Sequence, residues 1–450
     1  MNLKTSILIT AVASAAGCVV GPEPTTPTIE LSPAFSIELE NSRPFSNEIA
    51  WWEHFGNAEL SKVMRLVRAN NLQVAIARAN LERSFALSTA ARSDLFPTLD
   101  AFIDNGLSID LEDTGRTDDT TVAGASFRFN PDLNGKNKRA LQAAQAQLQS
   151  ARLSEQDVLR LVTLQAGRQF VELKRTQARL ALLEATLELQ SRTLDIVTAR
   201  FDAGLSPALD VDRAASDLAQ SRAQRSLLIA SQFRAQNALA LLAGTEPTND
   251  PNVKGADQVP MLVVASTGVP ADLLRNRPDV RAAEADFIAA VANIGVQKAD
   301  LYPSLTLPGQ IRTTLGNGDV LSNAILSISA AIDIPLLDAG RRRAEVEAQK
   351  AFAEAALLSW RQNVLTALTE VENALVTIES ITEQLKELET SVERSESAYR
   401  QLDSLYREGL TSFIDVLDAQ RSLIARRQSV IEARADLAVA TIELSAYLAL

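Results

Sequence analysis

The residue types that most often carry chemistry are almost absent from this chain. Among 450 residues there is one cysteine, Cys18, and one histidine, His54. No disulfide can form within the chain, and thiol–imidazole or serine–histidine catalysis would have to run through His54. That histidine sits in Trp51-Trp52-Glu53-His54-Phe55-Gly56, an aromatic cluster with no second histidine or cysteine to share a metal. A packed or hydrogen-bonded ring is its reading. Gly135-Lys136-Asn137-Lys138-Arg139 is not a phosphate-binding P-loop, because Asn130 stands where the earlier glycine is needed and no Ser or Thr follows the lysine. A net charge of -12, from 44 basic and 56 acidic residues, argues against nucleic acid as a partner. The chain reads as no enzyme, with no cofactor and no metal site.

Chemistry done to the chain is expected at Cys18. Lys4, an apolar run over residues 7–13 and Ala15-Ala16-Gly17 form a secretory signal peptide over residues 1–17, too short to span a membrane. A cysteine at the cleavage point resembles a bacterial lipobox, in which Cys18 is acylated and becomes the mature N-terminus. A chance cysteine after an ordinary signal is the alternative. Val19 rather than Asp follows, which in that class implies sorting to the outer membrane. Two or more acyl signals give stable anchoring.

The elements that must position any function come as a duplicated pair. A heptad runs through Leu159, Ala166, Leu173, Leu180, Leu187, Leu194 and Phe201, and 205 residues later through Val364, Val371, Ile378, Leu385, Val392, Tyr399 and Tyr406. A strict seven-residue apolar repeat supercoils a helix against its neighbours. Residues 136–201 and 341–406 therefore read as soluble rods of roughly 100 Å at ~1.5 Å per residue. Recurrent Arg, Glu, Asp and Gln keep both out of the bilayer. Each rod ends at a glycine, Gly204 or Gly409, placed for a left-handed cap, and a return helix follows.

The rest of the chain falls around these rods. Residues 18–59 form a lipidated N-terminal tether. Repeat 1 covers 60–243, with a helix over about 60–92, a β-hairpin at 98–130 and a long helical hairpin at 136–243. A proline-rich connector covers 244–277. Repeat 2 covers 278–450, with a helix, a hairpin at 304–335 and a helical hairpin at 341–450. In the hairpins the period changes to two: Leu99, Ala101, Ile103 and Leu107 alternate with Asp100, Asp104 and Ser108. Leu305, Leu307 and Ile311 repeat the pattern, with Leu326, Ile328 and Ile332 opposite. The basic clusters that open the rods, at 136–139 and 341–343, oppose the helix macrodipole. Anionic lipid headgroups or plain solvation would favour them there.

Apolar-out, polar-in strands of this length match the transmembrane barrel pattern. Such a barrel must close, because an open edge in lipid leaves backbone groups unsatisfied. One chain supplies four strands, and closed spanning barrels begin at about eight, so closure needs at least two chains.

Together the lipobox at Cys18, Trp52-x-x-Phe55, the stretch from Leu274 through Arg277-Pro278-Asp279-Val280-Arg281 to Glu284, Leu301-Tyr302-Pro303-Ser304 and the paired glycine turns resemble the TolC-type outer-membrane factors. They look most like the NodT-like lipoprotein branch serving resistance–nodulation–division efflux pumps. The fold class implied is mainly α with membrane β: a homotrimer with a 12-stranded outer-membrane β-barrel continued by a long periplasmic α-helical barrel. The function implied is passive export of small molecules with a periplasmic membrane-fusion adaptor and an inner-membrane resistance–nodulation–division pump. A TolC-like duct for type I protein secretion is the alternative, and a soluble periplasmic coiled-coil adaptor is a second rival. Where the family usually ends its second strand with a Trp and Asp-Leu-Phe-Gly, this chain has Asn130-Pro131-Asp132-Leu133-Asn134-Gly135. By motif match, the family's periplasmic gate falls on Ile414, Asp418 and Arg421. An ordinary surface ion pair is the alternative for Asp418 and Arg421. Asp415 reads as a helix cap through Ser412-x-x-Asp415. The turns Gly204-Leu205-Ser206 and Gly409-Leu410-Thr411 would meet the adaptor.

Overall fold

The computed structural model describes residues 19–39, 50–109, 117–247, 259–266, 270–272, 277–315 and 324–448. Cys18, the first hairpin's turn and Leu274 to Asn276 lie outside these residues. The chain folds as two compact units, each assembled from three segments. One comprises Met1–Ile29, Ala79–Leu153 and Arg281–Asn363; the other comprises Glu30–Arg78, Ser154–Val280 and Val364–Leu450.

The main helices are α1 (Ala58–Asn70), α2 (Leu72–Ser93), α3 (Lys136–Asp202), α4 (Ala208–Leu242), α5 (Pro278–Ala299), α6 (Arg341–Arg407) and α7 (Phe413–Tyr447). The two rods α3 and α6 are each 67 residues long, and the return helices α4 and α7 are each 35. Equal lengths at a fixed offset are what a duplication leaves behind.

The sequence reads as a single helix over 60–92, and the structure breaks it at Asn71. Its backbone is extended (φ -63°, ψ 128°), and its side-chain oxygen accepts from Gln73 N and Val74 N, capping α2. The amide nitrogen donates to Leu242 O at the end of α4. The break shows that α2 and α5, both 22 residues, are the repeat-related pair.

The first unit holds the sheet: β1 (Thr98–Ile109), β2 (Thr117–Phe129), β3 (Ser304–Leu315), β4 (Ile325–Ile328) and β5 (Ala331–Asp333). Every pairing is antiparallel, in the order β1-β2-β3-β4, with β5 also on β3. The fourth strand expected from sequence is interrupted because Pro308 of β3 has no N–H to donate across the ladder. Register is kept through the gap, with Gly309 opposite Ile328 and Thr306 opposite Ala331. Ser329 N still donates to Pro308 O at 3.0 Å.

That register gathers the alternating residues onto two faces. Leu99 lies opposite Phe127, Ala125 opposite Ile311, Ile311 opposite Leu326 and Leu305 opposite Ile332. Asp100, Ser126, Gln310 and Ser327 form a parallel row on the other face. The apolar face is bare: Leu99, Ile103, Leu326 and Ile328 expose 74%, 74%, 68% and 79% of their surface. Among the described residues the outer edges of β1 and of β4 and β5 pair with nothing.

The second unit is helical. Leu60, Met64 and Val67 of α1, Phe170 and Leu173 of α3, Leu239 of α4 and Ile442 of α7 share a core with Trp51, Trp52 and Phe55. Gly167 of α3 lets α7 approach, since a Cβ there would lie 2.8 Å from Ile442. Residues 19–39 contain neither helix nor strand, yet Phe35, Ile37 and Leu39 pack on Val371, Leu375 and Leu444. Glu372 accepts from the Ser36 amide and hydroxyl. No described helix is long and apolar enough to cross a membrane.

Candidate functional site

The two glycine turns close the ends of α3 and α6 in the same way. Gly204 (φ +73°) and Gly409 (φ +80°) adopt the left-handed conformation that a side chain would strain. Leu205 N donates to Arg200 O and Leu410 N to Leu405 O, both at 2.8 Å, while Gly204 N and Gly409 N donate to Phe201 O and Tyr406 O. This is a Schellman cap, which satisfies helix-end carbonyls and reverses the chain in a few residues. Leu205 and Leu410, one position past each glycine, are 68% and 69% exposed.

Arg200 binds the turns to each other. Its guanidinium lies 4.7 Å from the Tyr406 ring centroid and donates to Tyr406 O at 3.0 Å, at the C-terminal end of α6. A cation there complements the helix dipole and gains from the ring face. Below it Val197, Ala214, Tyr406, Phe413, Val416 and Leu417 form a buried cluster.

The residues singled out from the sequence divide in this setting. Ile414 is half-buried against that cluster. Asp415 completes the capping box, accepting from the Ser412 hydroxyl and amide and from the Thr411 hydroxyl. The Ser412 and Thr411 hydroxyls hold its carboxyl below the usual range, so the cap persists at neutral pH and weakens only as pH falls through that lowered value. Asp418 is exposed, and its carboxylate lies 3.8 Å from Arg421. Arg421 is committed elsewhere. It makes a bidentate pair with Asp217 of α4, Nε to Oδ2 at 2.8 Å and Nη2 to Oδ1 at 2.5 Å. The bonds Arg421 donates to Asp217 raise its own pKa further.

Asp217, Arg200 and Tyr406 are therefore site residues that local spacing did not reveal. The 205-residue offset held the signal for the first: it maps Asp217 to Ser422, directly beside Arg421. Equivalent positions of two return helices that run side by side come within reach of each other.

Elsewhere in the second unit Arg277, whose side chain is 2% exposed, forks onto Asp279 at 3.0 and 2.6 Å and reaches Glu370 at 2.6 Å. Arg160 pairs with Asp157 and approaches Asp279. Burial would push the Asp279 carboxyl up, but the Arg277 bonds and charge outweigh it and hold it low. Asp157 is raised, because burial outweighs Arg160. Among the described residues no three His, Cys, Asp or Glu side chains gather as metal ligands.

Most of the basic residues at the helix starts have internal partners. Asp132 caps α3 by accepting from Asn137 N and Lys138 N, and Asp338 caps α6 by accepting from Arg342 N. Lys136 pairs with Asp300, Arg341 with Glu345 and Arg342 with Asp338.

Comparison with known proteins places this geometry. The profile of the family described as Outer membrane efflux protein matches residues 63–245 and 269–450. Nodulation protein T of Rhizobium leguminosarum bv. trifolii is 31% identical over 427 residues, 93% of this chain and 91% of its own length. The solvent efflux pump outer membrane protein SrpC of Pseudomonas putida is 28% identical over 85% of this chain and 83% of its own. The solved structure of the outer-membrane channel OprN is 29% identical and superposes with a TM-score of 0.87, covering 96% of this chain and 99% of that one.

Proposed function

We infer the working assembly from one premise: this chain belongs to the outer membrane efflux protein family. It is the outer-membrane channel component of a tripartite efflux system. Three protomers close one barrel, three times four strands making twelve, with the apolar sheet face toward lipid and the Asp100–Ser126–Gln310 face toward the lumen. The long helices line the periplasmic part of the duct. The exposed Leu205 and Leu410 turns dock a periplasmic membrane-fusion adaptor, which joins the channel to an inner-membrane resistance–nodulation–division pump. The tip around Ile414, Asp418 and Arg421 is the periplasmic gate, and small toxic compounds are the cargo.

The observation carrying this reading is the sheet. A bare apolar face and two unpaired edges are costly in water and untenable in lipid until the edges close on further copies. The protein should fractionate with the outer membrane, and its native mass in detergent should be three times that of the processed chain. A stable folded monomer would refute it.

Cys18 is the acylation site in this reading. The mature protein should begin at Cys18 and carry fatty acids by mass spectrometry, and Cys18→Ala should remove them. A mature chain cleaved elsewhere, with a free thiol, would sink the assignment. The Cys18→Ala protein should still insert, because the barrel is an anchor in its own right.

A further inference from the structure

Most of the basic helix starts are internally paired, and among the first unit's cations that are not, two line the same groove. Lys298 of α5 and Arg343 of α6 have no ion-pair partner among the described residues. They lie on the rim of one groove of about 580 Å³, whose apolar lining includes Pro22, Ile294, Leu301 and Val346. Ile294 and Val346 are buried. Lys350 and Glu347 also reach the groove, but they neutralise each other at 2.7 Å.

One wall is chain held rigidly in place. Arg139, fully buried, donates to Val20 O, Gly21 O and the Glu23 carboxylate. Gly21 (φ +99°) lies so close to Gly295 that a Cβ would sit 2.5 Å from its Cα. Residues 20–23 are therefore a fixed part of the groove rather than a loose strand lying across it.

We propose that this groove binds an anionic phospholipid, its phosphoryl group between Lys298 and Arg343 and the start of an acyl chain over Ile294, Leu301 and Val346. The inference rests on the outer-membrane reading, which supplies the depth. Leu301 lies just before β3, where the apolar face begins with Leu305 and Leu307, so the groove opens at the water–hydrocarbon boundary where headgroups lie. Net positive charge above an apolar floor is complementary to an anionic amphiphile and not to a zwitterionic one.

The test uses the full-length trimer, delipidated in mild detergent and titrated with dioleoyl phosphatidylglycerol or phosphatidylcholine under native mass spectrometry. At about 1 kcal/mol per basic residue near the surface, the double variant Lys298→Gln/Arg343→Gln should bind phosphatidylglycerol roughly thirtyfold more weakly. Phosphatidylcholine should bind the parent no better than phosphatidylglycerol binds that variant. Arg341→Gln, adjacent in sequence but outside the groove lining, should bind like the parent. Undiminished phosphatidylglycerol binding by the double variant, or equal binding of the two lipids by the parent, overturns the proposal. So does dissociation of the double variant into monomers, which would make the groove a contact between copies. A parent found outside the outer membrane removes the functional reading and this inference together, whereas an outer-membrane trimer indifferent to headgroup charge removes only the inference.

Discussion

Replacing Asp217 and Arg421 together with alanine should raise the single-channel conductance of the trimer in planar bilayers while leaving its native mass unchanged. The pair links the two return helices α4 and α7 just beyond the turns, so a tip that opens by separating these helices must break it. Arg421 is half-exposed and the Asp217 side chain only 14% exposed. Solvent screening therefore limits each copy to ~0.2–1 kcal/mol. Three copies acting on one two-state constriction contribute ~0.6–3 kcal/mol, enough to shift its open-to-closed ratio roughly 3- to 150-fold. Asp418→Ala alone should do much less, because its carboxylate stands 3.8 Å from Arg421 and is well exposed. Parent-like conductance in the double variant would move closure to the apolar packing of Ile414 with Tyr406 and Phe413.

Arg277→Met should be the most destabilising single change away from the sheet. It leaves Asp279 and Glu370 facing each other without their common cation, and breaking one side of a buried ion pair costs ~3–5 kcal/mol. The lower end applies, because the two carboxylates keep 24% and 34% of their side-chain surface exposed. With an unfolding entropy of ~2.1 cal/mol/K per residue, ~3 kcal/mol lowers the midpoint of the whole chain by about 3 °C. Adding Asp279→Asn should recover part of the loss, since it removes one uncompensated charge.

The pH dependence of that difference has a definite sign. Asp279 is held below the ordinary carboxylate range by Arg277, so its contribution is complete above that range and is lost as pH falls through the lowered value. The gap between parent and Arg277→Met should therefore be full at neutral pH and close in acid. Asp157, raised by burial, has the opposite slope: its protonated form is favoured, and its contribution fades as pH rises through the raised value. Arg277 is one of the charges that lower its pKa, so in the variant that pKa rises further, and its share of the gap also closes in acid. A gap that widens on acidification would exclude this account of the Arg277 cluster.

Much of the molecule follows from short-range pattern. The rods were legible because an apolar residue every seven positions is a statement about one helix face, repeated 205 residues later. The strands were legible because alternation of period two survives whatever partner the strand finds. The turns at Gly204 and Gly409 and the cap at Ser412 and Asp415 involve residues a few positions apart, whose geometry the backbone itself enforces. None of these depends on what lies across the fold.

Tertiary structure decided the pairings. Arg421 has an acidic residue one helical turn before it, yet it bonds Asp217, more than two hundred positions away, because the neighbouring return helix presents a carboxylate already largely shielded from water. Asn71 interrupts an otherwise continuous helical pattern because Leu242 O, at the end of α4, accepts from its side chain. Arg139 reads as one more cation of a basic run facing lipid headgroups or solvent, and only the folded chain reveals it buried against Val20, Gly21 and Glu23. Periodicity records which face of an element is apolar, whereas a charge is satisfied by whichever opposite group the fold brings within about 3 Å, and that distance is not written in local sequence.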